Sequence, residues 1–427
     1  MKGFLVCLFA LLFVTASSEG QMVPKGWEVD HSSFGKIVAE SANVSTDEMS
    51  SAFRKVANVR PNIEALRSAE LSLDIEGVSY KAVRESVEER ADGYVWNGFV
   101  SDFPFRSVTT VRGGIAVSYI WFRLGNRVKH YQVLSSKGQY RLEEVDLDKL
   151  SLMIGDDQNE RVKNIISSMS ENDGFSYKKP KGRQRSVAPS GVCPRGSTAL
   201  YTIDIEMLYD QSTIDVVGSE TELLAILQSF VDVENAVLKN SRIYNGAFKV
   251  FGFRKAPRNS TGDVYEDLFW LSSGGSGSSL DPGPDIINYT VGFTRVDAAG
   301  VSGGRANVSV VGGSWYVYIH EVGHSLEGSH QPEDTPSLAT QPLPGRAARA
   351  HQVNLLFRTG ISQPSFRDCP SFCDPIPAYS NPSVLYYGVP TGVKDERDNA
   401  TMVRLSIPPI SRYAFGTSKQ CVLENLN

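Results

Sequence analysis

Apolar positions recur along this chain in three rhythms, and each predicts a different kind of element. The first is an unbroken run from Phe4 to Val14, behind Lys2 and ahead of Ala16-Ser17-Ser18. A positive end, an apolar segment and a small-residue cleavage site read as a secretory signal over residues 1–18, cut before Glu19. The run falls short of the roughly 20 residues that a membrane span requires, and no later stretch is long enough, so a soluble secreted protein is expected. The second rhythm is alternation. It predicts strands at Tyr94-Val-Trp-Asn-Gly-Phe-Val100, Ser107–Val111, Ile115–Phe122 and His130–Leu134, with a Gly113-Gly114 turn between two of them. The polar stretch before them, Thr46 to Arg67, reads as helical. The third rhythm begins near Ala199, where strands and helices alternate. Strands are expected at Tyr201–Tyr209, Phe248–Phe253, Ile286–Phe293 and Ala306–Val311. Helices are expected at Glu220–Asn240, where Leu223, Leu227, Phe230, Val231 and Leu238 keep helical spacing, and at Asp263–Leu271. A Gly/Ser-rich loop follows at Ser272–Ser279, and a last helix, Asp398 to Phe415, is interrupted by Pro408-Pro409. The fold class is α+β.

Composition changes this picture little. With 427 residues, 41% hydrophobic and 21% charged, there is room for two folded units, and a net charge of −5 gives no sign of a nucleic-acid partner. Between them lies a polar, basic linker, 172–197, holding Lys178-Lys-Pro-Lys-Gly-Arg-Gln-Arg185. Arg183-Gln-Arg185 reads either as a processing site or as a solvated charge run. Cys7 leaves with the signal, and Cys193, Cys369, Cys373 and Cys421 remain. Four cysteines in an oxidising compartment suggest two disulfides, with three pairings open. Sequons begin at Asn43, Asn259, Asn288, Asn307 and Asn399. No phosphate-binding glycine motif is present.

The chemistry gathers after the apolar lead-in Trp315–Ile319, which runs into His320-Glu321-Val-Gly-His324. At about 3.6 residues per turn, His320 and His324 share one helical face. Neutral imidazoles are good zinc ligands, and a catalytic zinc site takes three protein ligands and leaves one position open. His330, one of only six histidines, is the third candidate, provided that the chain turns near Gly328 to swing it back. Glu321, beside the first ligand, is placed to take a proton from an attacking water. His31, His130 and His351 read as packing or surface residues.

His320-Glu321-x-x-His324-x-x-x-x-x-His330 resembles the zinc-binding consensus of the metzincin metalloendopeptidases, H-E-x-x-H-x-x-G-x-x-H, most of all its reprolysin-like branch. Glu327 stands where that consensus has Gly. The strand pattern from Trp96 to Asp146 resembles the propeptide domains that precede such enzymes. Pro375-Ile-Pro377-Ala-Tyr379-Ser-Asn-Pro382 resembles the family's Met-turn region, with Pro377 in place of the methionine floor. The resemblance implies a signal over 1–18, a propeptide over 19–185, and a zinc metallopeptidase domain over 197–427. That domain would have a mixed twisted sheet, a zinc helix and a loop-rich C-terminal subdomain. It implies that the strand before the zinc helix is an antiparallel edge that takes an extended peptide or protein substrate by strand addition. It further implies Zn²⁺ on His320, His324 and His330, catalysis by Glu321, and a place for Tyr379 either near the transition state or in packing. The departures at Glu327 and Pro377 leave a rival reading, a non-catalytic binding protein on the same fold.

Overall fold

A computed structural model describes residues 27–29, 52–147, 149, 201–277, 283–296, 298–332, 345–363 and 373–411. The signal, the basic linker, His31, Asn43, Cys193, Cys369 and Cys421 lie outside them.

The first half is one antiparallel sheet of nine strands. β1 (Trp27–Val29), β2 (Phe53–Pro61), β3 (Glu70–Ile75), β4 (Val78–Arg90), β5 (Gly93–Val100), β6 (Ser107–Arg112), β7 (Ile115–Leu124), β8 (Arg127–Ser136) and β9 (Gln139–Val145) pair in the order β1-β2-β9-β8-β7-β6-β5-β4-β3. The two edges, β1 and β3, come into contact, so the sheet curls toward closure. Tight hairpins set the register. Gly113-Gly114 and Lys137-Gly138 have positive φ at both positions, the type I′ geometry that matches the right-handed strand twist. Among the described residues of the helix expected over Thr46–Arg67, Phe53–Pro61 is instead a strand and Ala65–Arg67 a single 3₁₀ turn. Val56, Ala57 and Val59 are buried there, and the strand pairs with β9 across a bulge. Tertiary pairing overrides a weak helical pattern.

The second half holds a five-stranded sheet in the order β11-β10-β12-β14-β13, made of β10 (Tyr201–Tyr209), β11 (Gly246–Lys255), β12 (Ile286–Val291), β13 (Gly300–Gly303) and β14 (Ala306–Val310). All neighbours are parallel except β13 with β14. The expected antiparallel edge at Ala306–Val311 is therefore corrected: β14 is an interior parallel strand, and the edge is β13. A four-residue strand of two glycines, Val301 and Ser302 carries too little pattern to be seen in sequence.

The described residues of this half also form helices α1 (Gln211–Val217), α2 (Glu220–Asn240), α3 (Val264–Ser272), α4 (Ser314–Ser325) and α5 (Asn399–Ser411), with two small sheets of two-residue strands between 352 and 390. Ser219 caps α2: its hydroxyl accepts from Glu222 N at 3.2 Å and donates to Glu222 Oε2 at 2.8 Å. This helix is buried almost all round because it lies between the sheets, touching β6, β7 and β8 on one side and β11 and α4 on the other. The expected interruption of α5 does not occur, since the helix runs through Pro408 and Pro409 to Ser411. Pro408 frees the Arg404 carbonyl four residues back, and Asn245 Nδ2 donates to it at 2.9 Å. No helix among the described residues is long and apolar enough to cross a membrane.

Of the sequons, Asn288, Asn307 and Asn399 are buried, and Asn259 is the exposed one among the described residues. Asn288 and Asn307 face inward from β12 and β14, where Asn288 hydrogen-bonds to Thr290 and Ser309. None of the three can carry a glycan in the folded protein. His351, expected at the surface, is also buried, edge-on to Phe357 at 5.8 Å, with Arg397 3.2 Å from its Nδ1.

His130 is a packing residue, buried between Trp315 and the sheet. Burial, aided by the positive Arg358, pushes its imidazole pKa down to about 3. The unfolded chain takes up this proton near pH 6.5 and the folded chain does not, so stability held above that pH is lost as pH falls toward 3. A His130→Gln variant should flatten the dependence of urea-unfolding free energy on pH between 6.5 and 4, by up to about 1.4 kcal/mol per pH unit.

Candidate metal centre

Helix α4 is fixed before it reaches the histidines. Trp315 packs on Trp121 of β7 at 5.0 Å between ring centroids, Tyr318 stacks on Phe230 of α2 at 5.4 Å, and the Tyr316 hydroxyl donates to the Ser362 carbonyl at 3.0 Å. One turn on, His320 and His324 point the same way, as their spacing predicts.

The helix ends in a Schellman motif. Gly328 N donates to Gly323 O at 3.0 Å and Glu327 N to His324 O at 2.9 Å, with Glu327 itself left-handed at φ 64°. The expected turn at Gly328 thus belongs to Glu327. Gly328 is glycine for another reason: a Cβ there would lie 2.3 Å from Ile361 Cδ1. Beyond the turn, Ser329 and His330 are pinned from two sides. Ala350 N donates to the carbonyls of both, at 3.0 and 3.2 Å, and Asn399 of α5 bonds to Ser329 N and O.

The result is convergence. His320, His324 and His330 offer one ligand atom each, all within 4.8 Å of one another. His330 Nε2 lies 3.0 Å from His320 Nε2 and 3.1 Å from His324 Nε2. His320 Nδ1 lies 3.3 Å from Gly360 O and His324 Nδ1 2.9 Å from Gly328 O. A carbonyl only accepts, so each Nδ1 carries the proton and each Nε2 presents a lone pair to the centre. Burial and the two neighbouring imidazoles hold the His320 pKa well below its usual range, which keeps it neutral. Three imidazole nitrogens brought together in this way fit a divalent cation. Tetrahedral zinc with bonds of about 2.0–2.1 Å would set them roughly 3.3–3.4 Å apart, close to the spacing found.

Glu321 is buried on the same helix, and one glycine of the edge strand lies close against it. A Cβ added to Gly300 of the edge strand would lie 2.8 Å from Glu321 Oε1 and 2.6 Å from Val317 Cγ1. The bare backbone of β13 therefore makes room for the carboxylate. Asn307 ties the same strands to the helix: with its amide oriented to satisfy both groups, the nitrogen donates to Glu321 O at 3.2 Å and to Ser302 Oγ at 2.7 Å. Gly300 did not stand out in the sequence, and Asn307 did so only as a sequon. A glycine in a short strand signals close approach only once its neighbour is known.

Tyr379 is fully buried, and its ring edge and Ile361 lie against Gly323, between the two helical histidines. Its hydroxyl donates to Glu234 Oε1 of α2 at 2.7 Å and lies 3.2 Å from Ile319 O. Its single proton is thus engaged by a carboxyl group of α2. Burial pushes the Glu234 pKa up to about 8, against the opposing effect of this hydrogen bond. The segment carrying Pro377 is held to the end of α2 by polar links: Asn240 Nδ2 donates to Pro377 O, Tyr379 N to Ser241 Oγ, and Asn381 Nδ2 to Ser241 O.

With this geometry in place, comparison with known proteins is informative. No family model matches the chain. A peptidyl-Asp metalloendopeptidase of Stenotrophomonas maltophilia strain R551-3 is 24% identical over 374 residues, covering 81% of this chain and 83% of the relative. Its namesake from strain K279a is 22% identical over 376 residues, with the same coverage. Both relatives are named as metal-dependent peptidases. The similarity extends over about four-fifths of the chain and is not confined to a short motif. A solved structure described as a chaperone–substrate complex is similar over 51% of this chain and 36% of its own, at 18% identity and a TM-score of 0.39, which carries no argument.

Two substitutions bear on this geometry. Glu327→Gly should stabilise the protein by roughly 0.5–1 kcal/mol in urea unfolding: relief of left-handed strain, about 1–2 kcal/mol, is partly offset by a freer unfolded chain. Gly300→Ala should displace Glu321 while leaving the bound-metal content unchanged, and should lower any hydrolytic turnover by about tenfold or more.

Proposed function

We propose that this chain is a secreted zinc metalloendopeptidase, made with an N-terminal β-rich segment over 19–185 ahead of a metzincin-like peptidase domain over 197–427. The observation that carries the reading is the meeting of three imidazole Nε2 atoms, each of the two helical rings oriented by a backbone carbonyl, with a buried carboxylate on the same helix. Zinc bound there would supply Lewis acidity, polarising the scissile carbonyl and making water a nucleophile near neutral pH. Glu321 holds the proton taken from the attacking water and delivers it to the departing amine. Its burial against Gly300 keeps that carboxylate in one orientation. The parallel order with a single antiparallel edge, β13, supports the metzincin-like reading, and the main chain of β13 is where an extended peptide would add as a further strand.

The rival reading, a binding protein without catalysis, draws on Glu327 and Pro377. The Schellman turn accommodates Glu327, and Tyr379 with Ile361 fills the floor beneath Gly323, which supports the catalytic reading. Tyr379 is assigned to packing and orientation, because its hydroxyl proton is engaged by Glu234. Arg183-Gln-Arg185 is the proposed cut point, and the four remaining cysteines the proposed disulfide set.

Metal analysis and a casein assay separate the two readings. Purified protein should contain one zinc per chain and lose caseinolysis on chelation. Glu321→Gln should keep the zinc and lose activity by at least about 10²-fold. A Glu321→Gln variant as active as the parent would sink the mechanism. The relatives' name makes peptides differing only at Asp, Asn or Glu the first substrates to compare.

A further inference from the structure

A propeptide that leaves after cleavage should meet its enzyme across a surface that both partners can expose to water. The surface between the nine-stranded sheet and the second half has another character. Three buried carboxylates of the second half take hydrogen bonds from the sheet. Asp232 of α2 receives a two-pronged bond from Arg90, at 2.9 and 2.6 Å, and a third from the Thr110 hydroxyl at 2.7 Å. Glu222, in the first turn of α2, accepts from Ser135 Oγ at 2.5 Å and Gly138 N at 2.9 Å. Asp374 accepts from Arg127 Nε at 2.6 Å and Val128 N at 2.7 Å. Burial alone would raise the Glu222 pKa, yet the bonds from Ser135, Gly138 and Ser219 hold it below the usual range, as expected of an anion that the sheet helps to solvate.

Aromatic rings close the same surface. Trp121 meets Trp315, Tyr119 meets Phe230 at 6.4 Å, and Phe105 stacks on Tyr386 at 5.8 Å. Trp121, Trp315, Tyr119, Phe230 and Tyr386 are all at most 1% exposed. Departure of the sheet would bare Trp315, Phe230 and Tyr386 together with the flank of α2, and large apolar surfaces of this kind are not ordinarily left open to water. The contacts also fall at the start of the histidine-bearing helix, on Trp315, rather than on the half-exposed His324 at its other end. A latch would sit over the metal, whereas this sheet holds the helix from behind.

We infer that the nine-stranded sheet is a resident part of the folded protein, and that residues 53–147 stay bound to residues 201–411 after the chain between them is cut. The inference stands whether or not the protein hydrolyses peptides. To test it, a recognition sequence for a site-specific protease is inserted between Gly182 and Arg183 of the full chain, and the nick is verified by denaturing electrophoresis. The nicked protein should elute in native buffer as one peak at the mass of the intact chain. Two separate peaks would overturn the inference, whatever the state of the released pieces. A second variant, Asp232→Asn with Glu222→Gln, keeps the shapes and removes the charges. In the nicked protein it should lower the urea concentration at which the two fragments part, and an unchanged value would overturn the assignment of these contacts as the bond between the halves.

Discussion

Neutral imidazoles do not gather with their lone pairs facing one another unless something compels them, and here the compulsion is in the backbone. Gly360 O and Gly328 O claim the Nδ1 protons of His320 and His324, so both Nε2 atoms must face the centre. The Schellman turn and the clamp of Ala350 and Asn399 on Ser329 bring His330 to complete the group. Much of the second half exists to hold this arrangement: the floor segment is bonded to α2, α2 to the sheet, and the sheet to the first turn of α4.

The floor deserves comparison with the sequence expectation. Where the resembling family has an apolar methionine, this chain has Pro377, and the work passes to Tyr379 and Ile361. Their contact with Gly323 is close enough that a Cβ at that position would meet Ile361 Cδ1 at 2.7 Å and Tyr379 Cε1 at 3.1 Å. A buried carboxyl, Glu234, then anchors the tyrosine. This replaces a non-directional contact with a directional one. A hydrogen bond fixes the ring's position along the helix, which packing of a flexible thioether does less strictly.

Histidine spacing, the helix that carries His320 and His324, and most strands were legible in the sequence because each rests on a local period. What escaped depends on partners far along the chain. Phe53–Pro61 is a strand because β9 is beside it, and β13 is an edge because β14 lies inside. Pro408 stays in a helix because Asn245 satisfies the carbonyl that it orphans. His351 is interior because Phe357 and Arg397 cover it. Gly300 matters because Glu321 occupies the space a side chain would take. The departure at Glu327 was visible as a departure, but that the glutamate itself takes the left-handed position was not, nor was the different role of Gly328, since Ile361 is 33 residues further on.

The buried asparagines of β12, β14 and α5 bear on how this protein is made. An oligosaccharide transferred to a growing chain arrives before strands have paired, so in a cell with that machinery Asn288, Asn307 and Asn399 would be in a race between modification and concealment. A chain that lost the race at Asn288 could not form the centre of its second sheet. Synthesis in a bacterial host removes the contest altogether.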